Sequence, residues 1–458
     1  MGKLSAPDIS YGAIGRIALP LWIANVAIIG GGTIDTIMAG RLGNEDLAGV
    51  ALGAASMSCV FLGLAGVLNG LSPIVGHHYG ARKFSKIGYE LSQSLWLAAV
   101  LSVIGMFILG NTGLWTGLAR VTGRVRDVAE IFLIVSVLGI PAVLGCRAFV
   151  SVFSAVSKPK ITMYVSIGTL ILKTPLNLIF MYGWFGGPHL GGAGAAISST
   201  ISVWLSLIIY AIVWKKDPFY HSMQCLKWFW PNMKAIAAQL RIGVPIGIST
   251  FFETSCFALL AILMGRFGPV MLSAHQIVGN LVTLCYMTPL SIGITSSVLV
   301  AQSLGARHPE TAYQAMKNTL KCSTAIAVCA SLILYFGRDA LLRIFTDEAA
   351  VIAAAGPLIF FGALYQVFDC IQSVSSFALR GYRVTLLPMV FYGVFLWGVG
   401  IFGGYYLAFH ARIIGGPFGG VGLWAACAIG LFLIAVLLLG YAIYIGRARL
   451  KENEQEAR

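Results

Sequence analysis

The sequence predicts an all-α integral membrane protein: twelve transmembrane helices in two six-helix lobes, related by a pseudo-two-fold axis along the membrane normal. Three observations carry that prediction. Residues of the class AVILMFWYC make up 58% of the 458 and charged residues only 10%, whereas about a quarter of a soluble domain is charged. Twelve apolar runs reach the ~20 residues that cross a hydrocarbon core of ~30 Å. The last six runs also repeat landmarks of the first six at a nearly constant offset.

The runs fall at 14–38, 48–75, 91–110, 128–150, 161–183, 193–214, 242–265, 273–300, 318–337, 349–379, 384–409 and 420–446. The first has no small-residue cleavage site before the next polar loop, so it is expected to be a retained span and not a signal peptide. Connections are short. The longest is 215–241, rich in lysine, proline and tryptophan, and it reads as a cytoplasmic link on the bilayer surface. The expected organisation is therefore an N-terminal lobe at 1–214, a linker at 215–241 and a C-terminal lobe at 242–458.

The duplication is visible in five correspondences. Gly40-Arg41-Leu42-Gly43 recurs as Gly265-Arg266-Phe267-Gly268, an offset of 225 (265 − 40). Gly80-Ala81-Arg82 recurs as Gly305-Ala306-Arg307 at the same offset, and Pro20 meets Pro245. Ala155 and Thr162 match Ala378 and Thr385 at 223, and Gly191-Gly192 matches Gly419-Gly420 at 228. Six spans is an even number, so both units run the same way through the membrane, with a cleft expected where they meet. That is a transporter plan.

Charge sets orientation. The formal charge is +14, but the basic residues sit at the ends of apolar runs and so speak of topology, not of nucleic acid. Even-numbered loops and the two ends carry 21 basic residues, including Lys3, Arg82, Lys83, Arg307, Arg380 and Arg458. Odd loops carry 8, among them Arg41, Arg266 and Arg412, and Arg147 and Lys173 within spans complete the 31. Both termini are expected in the cytoplasm.

Three acids fall clearly inside spans: Asp35, Glu253 and Asp369. A carboxylate at mid-membrane costs about 2.5–3.5 kcal/mol on insertion scales, so each needs a partner or a task. Glu253 is the one charge in the 24 residues between Arg241 and Arg266. Tyr365, Asp369, Gln372, Ser373 and Ser376 share one helical face. Span eight offers a polar stripe of Gln276, Asn280 and Thr283, with Tyr286 close by. Two carboxylates among hydroxyls and amides form a hard-oxygen pocket suited to a proton or a small cation; the alternative for each acid is plain hydrogen bonding between helices. Asp35, six residues from Arg41 and near the outer face, is either a functional acid or else a helix-end cap or an interfacial ion pair. Lys173 and Asn177 share a face of span five, where the lysine either snorkels or pairs with an acid.

Other signals are weaker. The nine cysteines are scattered with no CxxC pair and read as small apolar residues, with no transition-metal site. Gly30-Gly31-Gly32 reads as a close-packing feature. Without a GxxxxGK[ST] motif, ATP hydrolysis by this chain is not expected, no ATPase partner is required, and energy is expected to come from an ion gradient. No cofactor is expected beyond a coupling cation, Na⁺ or H⁺.

Taken together these residues resemble the multidrug and toxic compound extrusion (MATE) transporters, in their NorM-type branch, over nearly the whole chain. The likeness rests on Pro20 through Asp35-Thr-Ile-Met-Ala-Gly40, Gly80-Ala-Arg, and Pro175-Leu-Asn-Leu-Ile-Phe-Met-Tyr-Gly183. In the second half it rests on Gly243-x-Pro245 leading to Glu253, Ala274-His-Gln, Pro289-Leu-Ser-Ile-Gly293 and Asp369. The resemblance implies a non-enzymatic antiporter of a bacterial inner membrane that expels cationic amphipathic drugs in exchange for Na⁺ or H⁺. It puts the cation at Glu253 and Asp369 with Tyr365 and Tyr286 nearby, and gives Asp35 a part in coupling or substrate contact. Asn177, Gln276 and Asn280 complete the candidate substrate and coupling set, and a monomer in the bilayer is expected. The rival readings are a flippase for lipid-linked oligosaccharides and, from another class, a polytopic membrane enzyme.

Overall fold

The computed structural model of the chain describes residues 6–410 and 418–456. Lys3, Arg412 and Arg458, counted above for orientation, lie outside the described residues. Among the described residues twelve helices are long and apolar enough to span a membrane: α1 Tyr11–Leu42, α2 Asn44–Gly80, α3 Phe84–Gly110, α4 Gly123–Ala155, α5 Lys160–Phe180, α6 Gly191–Lys216, α7 Met233–Gly265, α8 Pro269–Gly305, α9 Pro309–Phe336, α10 Ala349–Gly381, α11 Leu386–Phe409 and α12 Gly419–Glu452. No strand occurs among the described residues. Helix is what these runs must form, because hydrocarbon offers the backbone no partner except itself. Outward-facing apolar side chains such as Phe107, 82% exposed, are left for lipid.

Each run coincides with a helix, but α7 begins earlier than the composition suggested. Residues 233–241, assigned to the linker from sequence, are its first two turns and more. The cause is local: Asn232 Oδ1 accepts from Lys234 N (2.9 Å) and Ala235 N (3.4 Å), capping the helix just after Pro231. Lys234 and Arg241 are therefore helical residues. The rest of the link is tied down. The short helix Pro218–His221 buries Tyr220 against Trp214 and Phe153, with ring centroids 4.9 and 5.5 Å away. Further on, Gln93 of α3 donates to Trp230 O (2.9 Å) and accepts from Asn232 N (2.7 Å).

By contacts the chain forms two compact units, residues 19–247 and residues 1–18 with 248–458. The first turns of α1 thus belong with the C-terminal half, and α7 up to residue 247 belongs with the N-terminal half. Pro20 and Pro245, matched in the repeat, lie inside their helices close to these two changes of unit. In the first unit α4 is the central helix, packed by α2, α3 and α6; in the other α10 is central, packed by α8, α9 and α12. These are equivalent helices, six spans apart.

Backbone geometry repeats as well. Arg82 and Arg307 both adopt a left-handed conformation (φ 53° and 63°) at a helix end. Beyond them Lys83 N reaches back to His78 O and His308 N to Ser303 O, each at 2.9 Å, the pattern that closes a helix C-terminus on itself. Ser157 and Arg383 (φ 58° and 61°) do the same for α4 and α10. That second pair lies 226 residues apart (383 − 157), so the Ala155/Ala378 match at 223 is out of register by three and Ala155 corresponds instead to Gly381. Gly43 and Gly268, and likewise Gly191 and Gly419, share positive φ.

One element has no sequence counterpart. Within α11, residues Tyr392–Gly403 wind in wider π turns, an uncommon geometry that shifts side chains around the axis and often marks functional helices.

Candidate functional site

The acids gather in two clusters, one inside each unit. In the C-terminal half, α10 presents Asp369 (3% exposed) on a buried face with Tyr365, Gln372, Ser373 and Ser376. This is the face read from the spacing. Gln372 Nε2 donates to Asp369 Oδ1 at 2.8 Å, and its amide oxygen accepts from the hydroxyl of Tyr392 at the start of the π turns. Glu253 on α7 is half-buried. Asp369 and Tyr286 of α8 both lie within electrostatic reach of it. Tyr286 also lies beside Ser373 of α10. Trp397 Nε1 holds the neighbouring carbonyl of Phe252 at 3.2 Å.

A positive group completes this cluster. Arg380, packed over Phe377 at 4.0 Å, bears electrostatically on Glu253, Tyr286 and Tyr392. From sequence it served only to mark the cytoplasmic end of the span. Tyr365 is held by its ring, between Phe257 (5.8 Å) and Trp424 (6.0 Å). The Trp424 indole in turn donates to His275 Nδ1 at 3.2 Å, so that His275 carries its proton on the other nitrogen. Gln276 and Asn280, read as a matching stripe, lie on the exposed face of α8, as does Thr283; Tyr286 alone turns inward. The stripe is continuous in sequence, but the helix aims its members differently from Tyr286.

In the N-terminal half Asp35 of α1 is buried (7% exposed) and fully engaged. Lys173 Nζ lies 2.7 Å from its Oδ2, and Asn177 Nδ2 donates to its Oδ1 at 2.8 Å. Ser199 of α6 accepts from Lys173 Nζ at 3.0 Å and approaches Asp35 Oδ2 at 3.5 Å. Of the two readings of Lys173, pairing is the one realised. The glycines of α1 make room for it: a Cβ on Gly31 would meet Lys173 Cδ at 3.4 Å, and one on Gly30 would meet Leu170 at 3.4 Å. Asn177 Oδ1 is buried without a partner among the described residues.

Sequence reasoning missed Ser199, Tyr392 and the role of Arg380. Ser199 and Tyr392 gave no signal, since a serine or tyrosine in an apolar run is common. It also missed Asp46, a buried acid (3% exposed) at the start of α2 that takes Arg124 Nε (3.0 Å), Arg124 Nη2 (2.9 Å to Oδ2) and Gly192 N (2.7 Å).

Two six-span halves that repeat each other, each holding membrane-embedded acids among amides and hydroxyls, define a polytopic α-helical membrane protein with the plan of a secondary transporter. The MatE family model matches the chain twice, over residues 20–179 and 245–406. A relative from Aromatoleum aromaticum named "Probable multidrug resistance protein NorM" is 34% identical over 438 residues, 95% of each chain. One of the same name from Bacillus cereus is 31% identical over 441 residues, 95% of this chain and 96% of its own. The crystal structure of the eukaryotic MATE transporter AtDTX14 shares the fold, with a TM-score of 0.86 at 19% identity and 98% of each chain covered. The chain belongs to the MatE family, and it is a multi-pass membrane protein.

Proposed function

We propose that the protein is a multidrug efflux antiporter, which exports cationic amphipathic compounds in exchange for Na⁺ or H⁺ by alternating access. We assign it to a bacterial inner membrane as a monomer with both termini cytoplasmic. The observation that carries this reading is the burial of Asp369 on one face with Tyr365 and Gln372, with Glu253 within electrostatic reach of it. Two acids kept together in apolar surroundings store a demand for positive charge. The relatives named as multidrug resistance proteins support the substrate class.

On this reading a cation arriving from outside binds Glu253 and Asp369 and offsets their repulsion. Neutralisation changes the relative stability of the conformations and weakens the attraction for a cationic drug. By linkage the drug must weaken cation binding by the same factor. On this reading Tyr286, near Glu253 and Ser373, and Gln372, hydrogen-bonded by Tyr392, pass that change to α8, α10 and α11. Asp35, Asn177, Gln276 and Asn280 form the proposed substrate and coupling set, the last two through amides exposed on α8.

The test is accumulation of an organic-cation dye in cells with and without the protein, with sodium and proton gradients collapsed separately. The reading predicts lower accumulation, lost when one of the two gradients is removed. Unchanged accumulation would favour an oligosaccharide flippase or a membrane enzyme, neither of which handles the dye.

A further inference from the structure

The two acid clusters differ in net charge. By formal count the C-terminal cluster has two carboxyl groups, Glu253 and Asp369, to one guanidinium, Arg380. Asp35 is matched one to one, because Lys173 lies 2.7 Å from it. Each oxygen of Asp35 is also taken: Oδ1 by Asn177 at 2.8 Å, Oδ2 by Lys173 with Ser199 beyond at 3.5 Å. The ammonium is held by Asp35 and Ser199. A free monovalent cation added here would leave an unpaired positive charge in an apolar unit, which is strongly unfavourable. One added at Glu253 and Asp369 restores neutrality.

We propose that Lys173 is the resident cation of Asp35: a tethered ammonium occupies the place of a free ion, the N-terminal unit takes up none, and exchange carries one monovalent cation per cycle, at Glu253 and Asp369. The stoichiometric part rests on the antiport reading; the occupancy of Asp35 does not.

The two parts are tested separately. Lys173→Ala retains Cβ and vacates the volume of n-propylammonium. In detergent, n-propylammonium chloride is expected to raise the melting temperature of Lys173→Ala saturably, beyond matched sodium chloride. It should do so neither for the unaltered protein nor for Asp35→Asn/Lys173→Ala, and tetramethylammonium, which has no N–H, should not substitute. Absence of that rise, or an equal rise in the unaltered protein, overturns the occupancy. If Lys173→Ala does not fold, the comparison is Lys173→Met with Asp35→Asn/Lys173→Met: the double variant must melt higher, and equal melting overturns the proposal.

Stoichiometry is read in proteoliposomes at zero membrane potential, from the substrate gradient at which net flux stops. A tenfold cation gradient is expected to balance about a tenfold gradient of a singly charged substrate. A balance near a hundredfold means two cations and contradicts the proposal. No exchange under either gradient is the failure of the antiport reading instead, and the melting result stands apart from it.

Discussion

Gln372 stands between Tyr392 and Asp369: it takes the phenolic hydroxyl on its oxygen and gives its nitrogen to the carboxylate at 2.8 Å. The π turns of α11 are thereby linked to the acid of α10 through one amide whose orientation is fixed at both ends. Tyr392→Phe leaves the Gln372 oxygen unpaired and free to turn towards Asp369. A lost hydrogen bond of this kind is worth about 1 kcal/mol. The cation concentration for half-maximal exchange should rise about fivefold, with the melting temperature little changed.

The Asp46–Arg124 clamp predicts a stability effect and no transport effect. Asp46 is buried while Arg124 is half exposed to solvent, so screening reduces the charge contribution. Loss of the Gly192 N–H acceptor is the larger part. Asp46→Ala should cost about 2 kcal/mol, read as a fall of several degrees in melting temperature. Arg124→Ala should cost less than half of that.

Glycine packing separates two substitutions that look alike in sequence. A Cβ on Gly243 would lie 2.0 Å from Val67 O, a backbone atom that cannot swing aside, whereas a Cβ on Gly168 meets nothing within 4 Å. Gly243→Ala should therefore destabilise by about 1–3 kcal/mol or more. Gly168→Ala should be neutral or stabilise by up to about 1 kcal/mol through helix propensity. Melting of the two purified variants decides it.

The link after α6 is fastened by Gln93, which is fully buried and uses both ends of its amide on Trp230 and Asn232. Gln93→Ala removes two hydrogen bonds, about 2 kcal/mol of local stability. Trypsin cleavage after Lys227 should accelerate at least tenfold, and a rate equal to the unaltered protein would contradict the fastening role.

What the sequence could disclose followed from periodicity and composition. The twelve spans, the 225-residue repeat and the polar face of α10 are one-dimensional patterns, and the structure reproduces them. The start of α7 escaped because lysine and arginine masked a helix that a cap at Asn232, not apolarity, begins. Asp35 and Lys173 sit on different spans, so their spacing carried no information on their contact; only the shared face of Lys173 and Asn177 hinted at it. Tyr392 was hidden by the π turns, whose periodicity no helical template anticipates. The exposure of Gln276 and Asn280 is the reverse case: a stripe at helical spacing fixes which residues lie together, not which way they face.

The central claim is that Glu253 and Asp369 together take up the cation that drives exchange. The direct measurement is dye exchange by proteoliposomes under separately imposed sodium and proton gradients, for the unaltered protein, Glu253→Gln and Asp369→Asn. The account predicts exchange driven by one of the gradients in the unaltered protein, and at least a hundredfold slower exchange in both variants at unchanged melting temperature. Full exchange by both variants would contradict it.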